Sequence, residues 1–128
     1  MKAIILNKYG DPDVLSYGEI EKPQPRKDEV LVKVYNVSVN VTLDIKLRQG
    51  NYPIKPVFPH VMGIDPVGEI VEVGHGVARS RIGERVAVHA LMRSDDCIPG
   101  QEADDPNFYR FVGIHRWGGC ADFVSVPS

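Results

Sequence analysis

The apolar residues of this chain fall mainly in short, valine-rich runs that are bounded by glycine, proline and aspartate. Short runs rich in β-branched residues are typical of strands separated by turns rather than of helices. The clearest run covers residues 29–39, where valine alternates with other residues as a half-buried strand requires. The alternation changes phase between Val34 and Val37, which predicts a β-bulge at that point. The pattern therefore predicts a mainly β fold.

About six or seven short strands and one short helix are predicted. The strands that the pattern locates are residues 2–6, 15–20, 29–39, 67–73, 85–90 and 121–126. The helix is predicted over residues 42–49, with Thr42 as its N-cap and Gly50 as its terminator. Residues 51–59 are rich in proline and residues 95–107 are polar, so both segments are predicted to be loops. This set of elements favours a closed or partly closed β-barrel, because closure removes unpaired strand edges.

Size and charge exclude several classes of function. A chain of 128 residues fits one compact domain, and 15 basic against 17 acidic side chains leave no basic surplus for nucleic acid. We find neither a membrane-length apolar run nor a signal peptide at the start, so we expect a cytoplasmic protein that does not bind membranes. The two cysteines, Cys97 and Cys120, are far apart and form neither a disulfide framework nor a Cys-x-x-Cys zinc site.

The segment GIDPVGEIVEVG at residues 63–74, followed by GERV at 83–86, resembles the catalytic domain of the medium-chain dehydrogenases/reductases. The family pattern there usually reads G-H-E-x-x-G-x-V-x-x-V-G and then G-D-R-V. Other landmarks follow in the family's order: Asp28-Glu29-Val30, Arg48-Gln49-Gly50, Pro59-His60-Val61-Met62-Gly63 and Gly118-Gly119-Cys120-Ala121-Asp122-Phe123. The resemblance implies a GroES-like, partly open β-barrel over residues 1–128.

The same resemblance implies a second domain that this chain lacks. In the family, NAD(P)H binds mainly to a Rossmann domain that follows the barrel and needs a glycine-rich turn between a strand and a helix. The nearest candidate, Gly74-His75-Gly76, has Arg79 where a third glycine belongs, and no helix pattern follows it. We therefore expect one domain of a longer oxidoreductase, inactive by itself. The alternative is a binding or assembly module that derives from the family and has lost catalysis.

The residues that hold catalytic zinc in many family members are replaced here. Ile64 stands where the histidine of G-H-E is expected, and no thiol lies in the stretch 39–44 that matches the family's cysteine. One alignment places Val41 at the cysteine position. The other, which we prefer, inserts one residue before Asp44 and matches Val39 and Asn40 to the Val-Asn pair of the zinc-free quinone reductases. The region of the structural zinc lobe contains only Cys97, so we expect neither zinc and assign no metal ligand.

Two candidate catalytic residues lie around the predicted helix. By resemblance to the quinone reductases, the Asn40 amide would contact the cofactor or the substrate, while the alternative is a helix N-cap. Thr42 would donate its hydroxyl in the same cleft, and helix capping is again the alternative.

Two further candidates follow the helix. Tyr52 would donate its phenol to a substrate carbonyl, and its alternative is a ring that lies on the barrel surface. Asp65 takes the place of the family's glutamate. Its alternative, which we favour, is a buried ion pair with Arg48 or Lys46.

The four histidines show no helical pairing and are expected to be structural or exposed: His60, His75, His89 and His115. A metal held between His60 and Asp65 remains a minor alternative. The substrate is expected to be a small carbonyl, enone, quinone or alcohol. An apolar face left by the open barrel predicts self-association into a homo-oligomer.

Overall fold

The computed structural model describes residues 1–93 and 109–128. Within these residues the chain forms nine strands, one α-helix and two 3₁₀ turns. The strands are β1 (Lys2–Leu6), β2 (Leu15–Glu19), β3 (Glu29–Val37), β4 (His60–Val61), β5 (Pro66–Val73), β6 (Arg85–Ala87), β7 (Leu91–Arg93), β8 (Tyr109–Phe111) and β9 (Phe123–Pro127). The helix α1 is Val41–Arg48, and the 3₁₀ turns are Pro12–Val14 and Arg79–Arg81.

The strands form three antiparallel sheets. The largest has the order β6-β5-β3-β9, a second has the order β2-β1-β4, and β7 pairs with β8 alone. A bridge between Ala3 and Ala121 joins β1 to the segment that precedes β9, and the Ile4 amide donates to the carbonyl of Cys120 at 2.8 Å. The sheets thus curve around a shared interior without closing completely. The predicted mainly β, partly open GroES-like fold is confirmed.

Most of the predicted long elements are confirmed, and the shortest ones were missed. The register of β3 against β5 shifts between Val34 and Asn36, within the stretch where the bulge was predicted. The strands β4, β7 and β8 have only two or three residues each, too few to show an alternation. The loop predicted over residues 95–107 lies outside the described residues.

The N-cap predicted at Thr42 is wrong, whereas the N-cap alternative given for Asn40 is confirmed. Asn40, and not Thr42, is the N-cap residue of α1, because its side chain accepts a hydrogen bond from the Leu43 amide. Both residue types cap helices well, and the strand before α1 ends early enough that Asn40 reaches the capping position. Gly50 ends the helix as predicted: it has a φ of 73° and its amide donates to the carbonyl of Leu47.

The interior divides into apolar clusters that position the helix on the sheets. One cluster lies on the large sheet and contains Val30, Val32, Ile70, Met92, Val112, Val124 and Val126. A second lies beneath α1 and contains Leu6, Leu47, Met62 and Ile114. Each of these side chains, fully buried, stabilises the fold by roughly 1.5–3 kcal/mol. Through Leu47 this packing fixes α1 against β1 and the segment after β4. No helix in the described part of the chain has the length and apolar character needed to cross a membrane.

A buried carboxylate ties distant parts of the fold together. Glu29, at the start of β3, is only 7% exposed and accepts hydrogen bonds from the Arg116 guanidinium at 2.7 Å and from the Ser125 hydroxyl at 2.8 Å. The backbone amide of Arg26 donates a third bond at 3.0 Å. Burial raises the pKa of Glu29, but these bonds outweigh it and lower the pKa to about 2. Glu29 is therefore ionised in the folded state and holds β3, β9 and the segment after β8 together.

Stability is expected to fall as the pH drops below 6.5, because His60 is buried in its neutral form. Its Nε2–H donates to the Gly113 carbonyl at 2.8 Å, and burial lowers the pKa of the ring from 6.5. The unfolded chain then binds a proton that the folded chain resists, so stability is complete above 6.5 and is lost as the pH falls toward the lower folded pKa. Urea unfolding at several pH values measures this slope. His60→Gln keeps an amide donor for Gly113 and should flatten the slope, whereas an unchanged slope would assign the effect to other groups, such as His115.

Candidate active site

The candidate site forms where α1 begins. The Asn40 side-chain oxygen accepts from the Leu43 amide at 2.9 Å, and the Asn40 backbone amide donates to Asp44 Oδ2 at 2.8 Å. The carbonyl of Asn40 accepts the first helical bond from the Asp44 amide at 2.9 Å. Within the described residues the side-chain nitrogen of Asn40 makes no hydrogen bond. Asn40 is thus held at three atoms, and its two side-chain N–H groups remain available to a ligand.

Asp44 is a functional candidate that the sequence reasoning missed. The side chain is half-buried, and its Oδ1 atom is buried without a hydrogen-bond partner among the described residues. Burial raises the pKa of Asp44, the Asn40 amide lowers it, and the negative charge of Asp65 raises it again. The signal was the i, i+4 spacing of Asn40 and Asp44 across a predicted helix start. Had the helix been predicted to begin at Val41 instead of Thr42, Asn40 would have been the N-cap and its pairing with Asp44 would have been expected.

Asp65 is not buried and does not form the expected ion pair. The residue is exposed and accepts a hydrogen bond from the Ser38 hydroxyl at 3.3 Å. Arg48, which is buried, donates instead to the carbonyl of Gly10. The two residues lie at opposite ends of the helix. Asp65 is near the first turn of α1, where its charge raises the pKa of Asp44, whereas Arg48 is in the last turn of this eight-residue helix. No salt bridge of Asp65 with Lys46 or any other cation appears in the described ranges.

The two hydroxyl candidates differ in their surroundings. Thr42 is exposed on the first turn of α1, beside Asn40, and its hydroxyl has no hydrogen bond within residues 1–93 and 109–128. Tyr52 is half-buried and its ring packs against the apolar cluster beneath α1. The structure thus brings Asn40, Asp44 and Asp65 together with Thr42 at their side, and it places Tyr52 on the cluster that supports the helix.

Cys120 approaches the site from the segment before β9. Gly63 has a φ of 98°, and a Cβ atom added there would lie 2.8 Å from the Cys120 amide nitrogen and 2.9 Å from its sulfur. Only glycine therefore permits this close approach. Burial and then the charge of Asp44 raise the pKa of the Cys120 thiol to about 11. The thiol is held in its neutral, unreactive form.

Cys120 is accordingly expected to react slowly with a disulfide reagent at pH 8. With a pKa of about 11, its thiolate fraction is roughly 10²-fold below that of an ordinary cysteine. We suggest measuring thionitrobenzoate release in a Cys97→Ala variant, so that one thiol reports. The same variant unfolded in guanidinium supplies the unprotected rate. A folded rate within threefold of the unfolded one would contradict this description of the thiol.

The positions that match the family's catalytic zinc ligands offer neither sulfur nor imidazole. Ile64 carries no ligand atom, and none of the residues 39–44 is a cysteine or histidine. His60 is buried against Gly113, while Asp65 is exposed near Ser38, so the structure does not bring this pair together. In the part of the chain that the structure describes, no three histidine, cysteine or acidic side chains gather closely enough to hold a metal.

Comparison with known proteins agrees with this architecture. The family model described as the alcohol dehydrogenase GroES-like domain matches residues 26–128. The chain belongs to the medium-chain dehydrogenase/reductase family. An alcohol dehydrogenase of Geobacillus stearothermophilus is 33% identical over the whole chain, which corresponds to 38% of that protein.

Two further relatives show the range of this family. A quinone oxidoreductase of Rattus norvegicus is 37% identical over 94% of the chain and 40% of its own length. The crystal structure of an NAD-dependent alcohol dehydrogenase superposes with a TM-score of 0.86 at 30% identity, covering 100% of this chain and 38% of that one. The chain thus spans about two fifths of the length of these relatives. It is similar to an alcohol dehydrogenase and to a quinone oxidoreductase at comparable identity.

Proposed function

We propose that this chain is the substrate-side catalytic domain of a zinc-independent, NAD(P)H-dependent oxidoreductase that reduces a quinone or enone. The observation that carries the proposal is Asn40, which caps α1 and whose side-chain N–H groups have no hydrogen-bond partner among the described residues. In the alignment that we prefer, this residue stands where a zinc enzyme of the family would carry a cysteine. A quinone oxidoreductase stands among the relatives at 37% identity, so this substrate class occurs in proteins similar to this chain.

The surroundings of Asn40 suit an apolar ring that carries a carbonyl group. Val39 is 79% exposed and Val41 is 68% exposed, so the residues on either side of Asn40 in the sequence are apolar and accessible. Ligand sites commonly combine apolar walls with a few placed polar groups. A quinone or enone would lay its ring on the valines and direct its oxygen at the amide of Asn40.

Bound nicotinamide would supply the hydride, and this chain would supply orientation and polarisation. In the reduction, the Asn40 N–H groups donate to the substrate oxygen and stabilise the negative charge that develops there as hydride adds. Thr42 is our second candidate donor to the same oxygen, and Tyr52 a third if the cofactor domain turns its hydroxyl toward the cleft. Asp65 would set the charge of the site through Asp44 rather than act as a general base.

The proposal extends to the whole protein. Residues 1–128 form the GroES-like domain, and the nicotinamide binds mainly to a cofactor domain that this chain does not contain. The isolated chain is then inactive. The intact protein acts in the cytoplasm on a small molecule.

Assay of the intact protein tests this function. We expect NADPH oxidation with 1,4-benzoquinone or cyclohexenone, unchanged by 1,10-phenanthroline, and little NAD(P)⁺ reduction with ethanol. Loss of activity with the chelator would contradict zinc independence. Absence of turnover with all three substrates would contradict catalysis and favour a binding or assembly module.

A further inference from the structure

Two hydrogen bonds fasten Asn40 from opposite ends of the residue. Its side-chain oxygen accepts from the Leu43 amide at 2.9 Å, and its backbone amide donates to Asp44 Oδ2 at 2.8 Å. Only the oxygen of a carboxamide accepts an N–H donor, so the first bond fixes which way the amide is turned. The oxygen faces the Leu43 amide, and the NH₂ group lies on the other side of the carboxamide, away from that amide.

The second bond depends on one side chain. Asp44 lies one turn into α1, and its carboxylate is the acceptor for the Asn40 backbone amide. Without the Asp44 carboxylate, Asn40 would still accept a hydrogen bond from the Leu43 amide but would lose the bond that holds its own backbone amide. The two bonds form a reciprocal pair like that of a capping box, in which the N-cap residue and a residue of the first turn each satisfy the other segment's backbone N–H group. We therefore expect the loss of one bond to weaken the other.

We propose that Asp44 is a positioning residue that holds Asn40 with its two N–H donors outward, so that the site recognises an acceptor oxygen on the substrate. The inference rests on the proposed function, in which Asn40 contacts the substrate. Asp44 is thereby the residue that makes the site a hydrogen-bond donor to the substrate. A substrate that offers Asn40 only hydrogen-bond donors is then excluded.

The burial of Asp44 supports this role. The Oδ1 atom has no partner in the described part of the chain, and leaving a carboxylate oxygen buried and unpaired costs stability. Two titratable groups interact with Asp44. The negative charge of Asp65 raises the pKa of Asp44, and the charge of Asp44 raises the pKa of the Cys120 thiol, which stays protonated.

NMR measurement of couplings across hydrogen bonds in the isotope-labelled 128-residue chain tests the inference and does not require an activity assay. A long-range HNCO spectrum is expected to show a cross-peak from the Leu43 amide to the side-chain carbonyl carbon of Asn40. In Asp44→Ala this cross-peak should fall at least threefold, and Asp44→Asn, which keeps an acceptor oxygen, should restore it. Asp65→Ala, the matched control, removes the neighbouring charge without touching Asn40 and should leave the peak unchanged.

The outcomes separate this inference from the proposed function. An undiminished cross-peak in Asp44→Ala would overturn the positioning role of Asp44, whatever the enzyme does. A cross-peak from Leu43 that is absent in the wild-type chain would overturn the outward orientation of the amide. If the couplings behave as expected but quinone reduction is absent, the positioning role stands and the proposed substrate is wrong.

Discussion

Replacing Arg116 by methionine is expected to lower the free energy of unfolding by about 3 kcal/mol, because it leaves Glu29 buried without its cation. The guanidinium lies 2.7 Å from Glu29 Oε1 while the Glu29 side chain is only 9% exposed. Removing one partner of such a pair costs more than removing both, since the remaining charge is desolvated and unpaired. Urea unfolding at neutral pH measures the loss.

A double-mutant cycle supplies the control for this prediction. Glu29→Gln in the Arg116→Met background removes the orphaned charge and should recover about half of the lost stability. In wild type the contribution of Glu29 is present above its reference pKa of 4.5 and is lost as the pH falls through about 2. A loss below about 1 kcal/mol in Arg116→Met would show that the pair behaves as an exposed salt bridge.

Replacing Asn40 by serine is expected to lower kcat/KM for quinone reduction by roughly 10²-fold to 10³-fold in the intact protein. Removing one preorganised donor from a developing oxyanion typically has an effect of this size. Serine caps helices nearly as well as asparagine, so the fold should keep its stability. Steady-state assays with 1,4-benzoquinone and NADPH measure the loss.

A second variant separates the donor from the cap. Asn40→Ala removes both and should lose about 1 kcal/mol of stability besides the activity. The comparison therefore assigns the activity to the amide donors and the stability to the bond with Leu43. Turnover by Asn40→Ser within threefold of wild type would remove Asn40 from the catalytic machinery.

The parts of the fold that were predictable are those with a local signal. The long strand β3 and its bulge follow from the valine alternation, and the end of α1 follows from Gly50. The strands β4, β7 and β8 carry no such signal, because two or three residues do not define a period. Their pairing joins residues that lie far apart in the sequence: β4 pairs with β1, and β7 pairs with β8.

The candidate site was predictable only in part, for a similar reason. Asn40 and Thr42 were both plausible caps from sequence, and only the end of the preceding strand decides between them. Asp65 was expected to pair with Arg48 or Lys46, but the contact depends on which turn of α1 faces Asp65. Glu29 and Arg116 lie 87 positions apart, so no local sequence pattern predicts the ion pair that holds these parts of the barrel together.

The central claim, a substrate-side domain that works without zinc and without its own nicotinamide site, is tested most directly by one paired measurement on the purified chain. Elemental analysis after dialysis is combined with an NADPH titration followed by nicotinamide fluorescence. We expect well under one zinc per chain and no cofactor binding. Stoichiometric zinc would contradict it and bring His60, Asp65 and Cys97 back as ligands, and tight NADPH binding would show that the barrel itself carries the cofactor site.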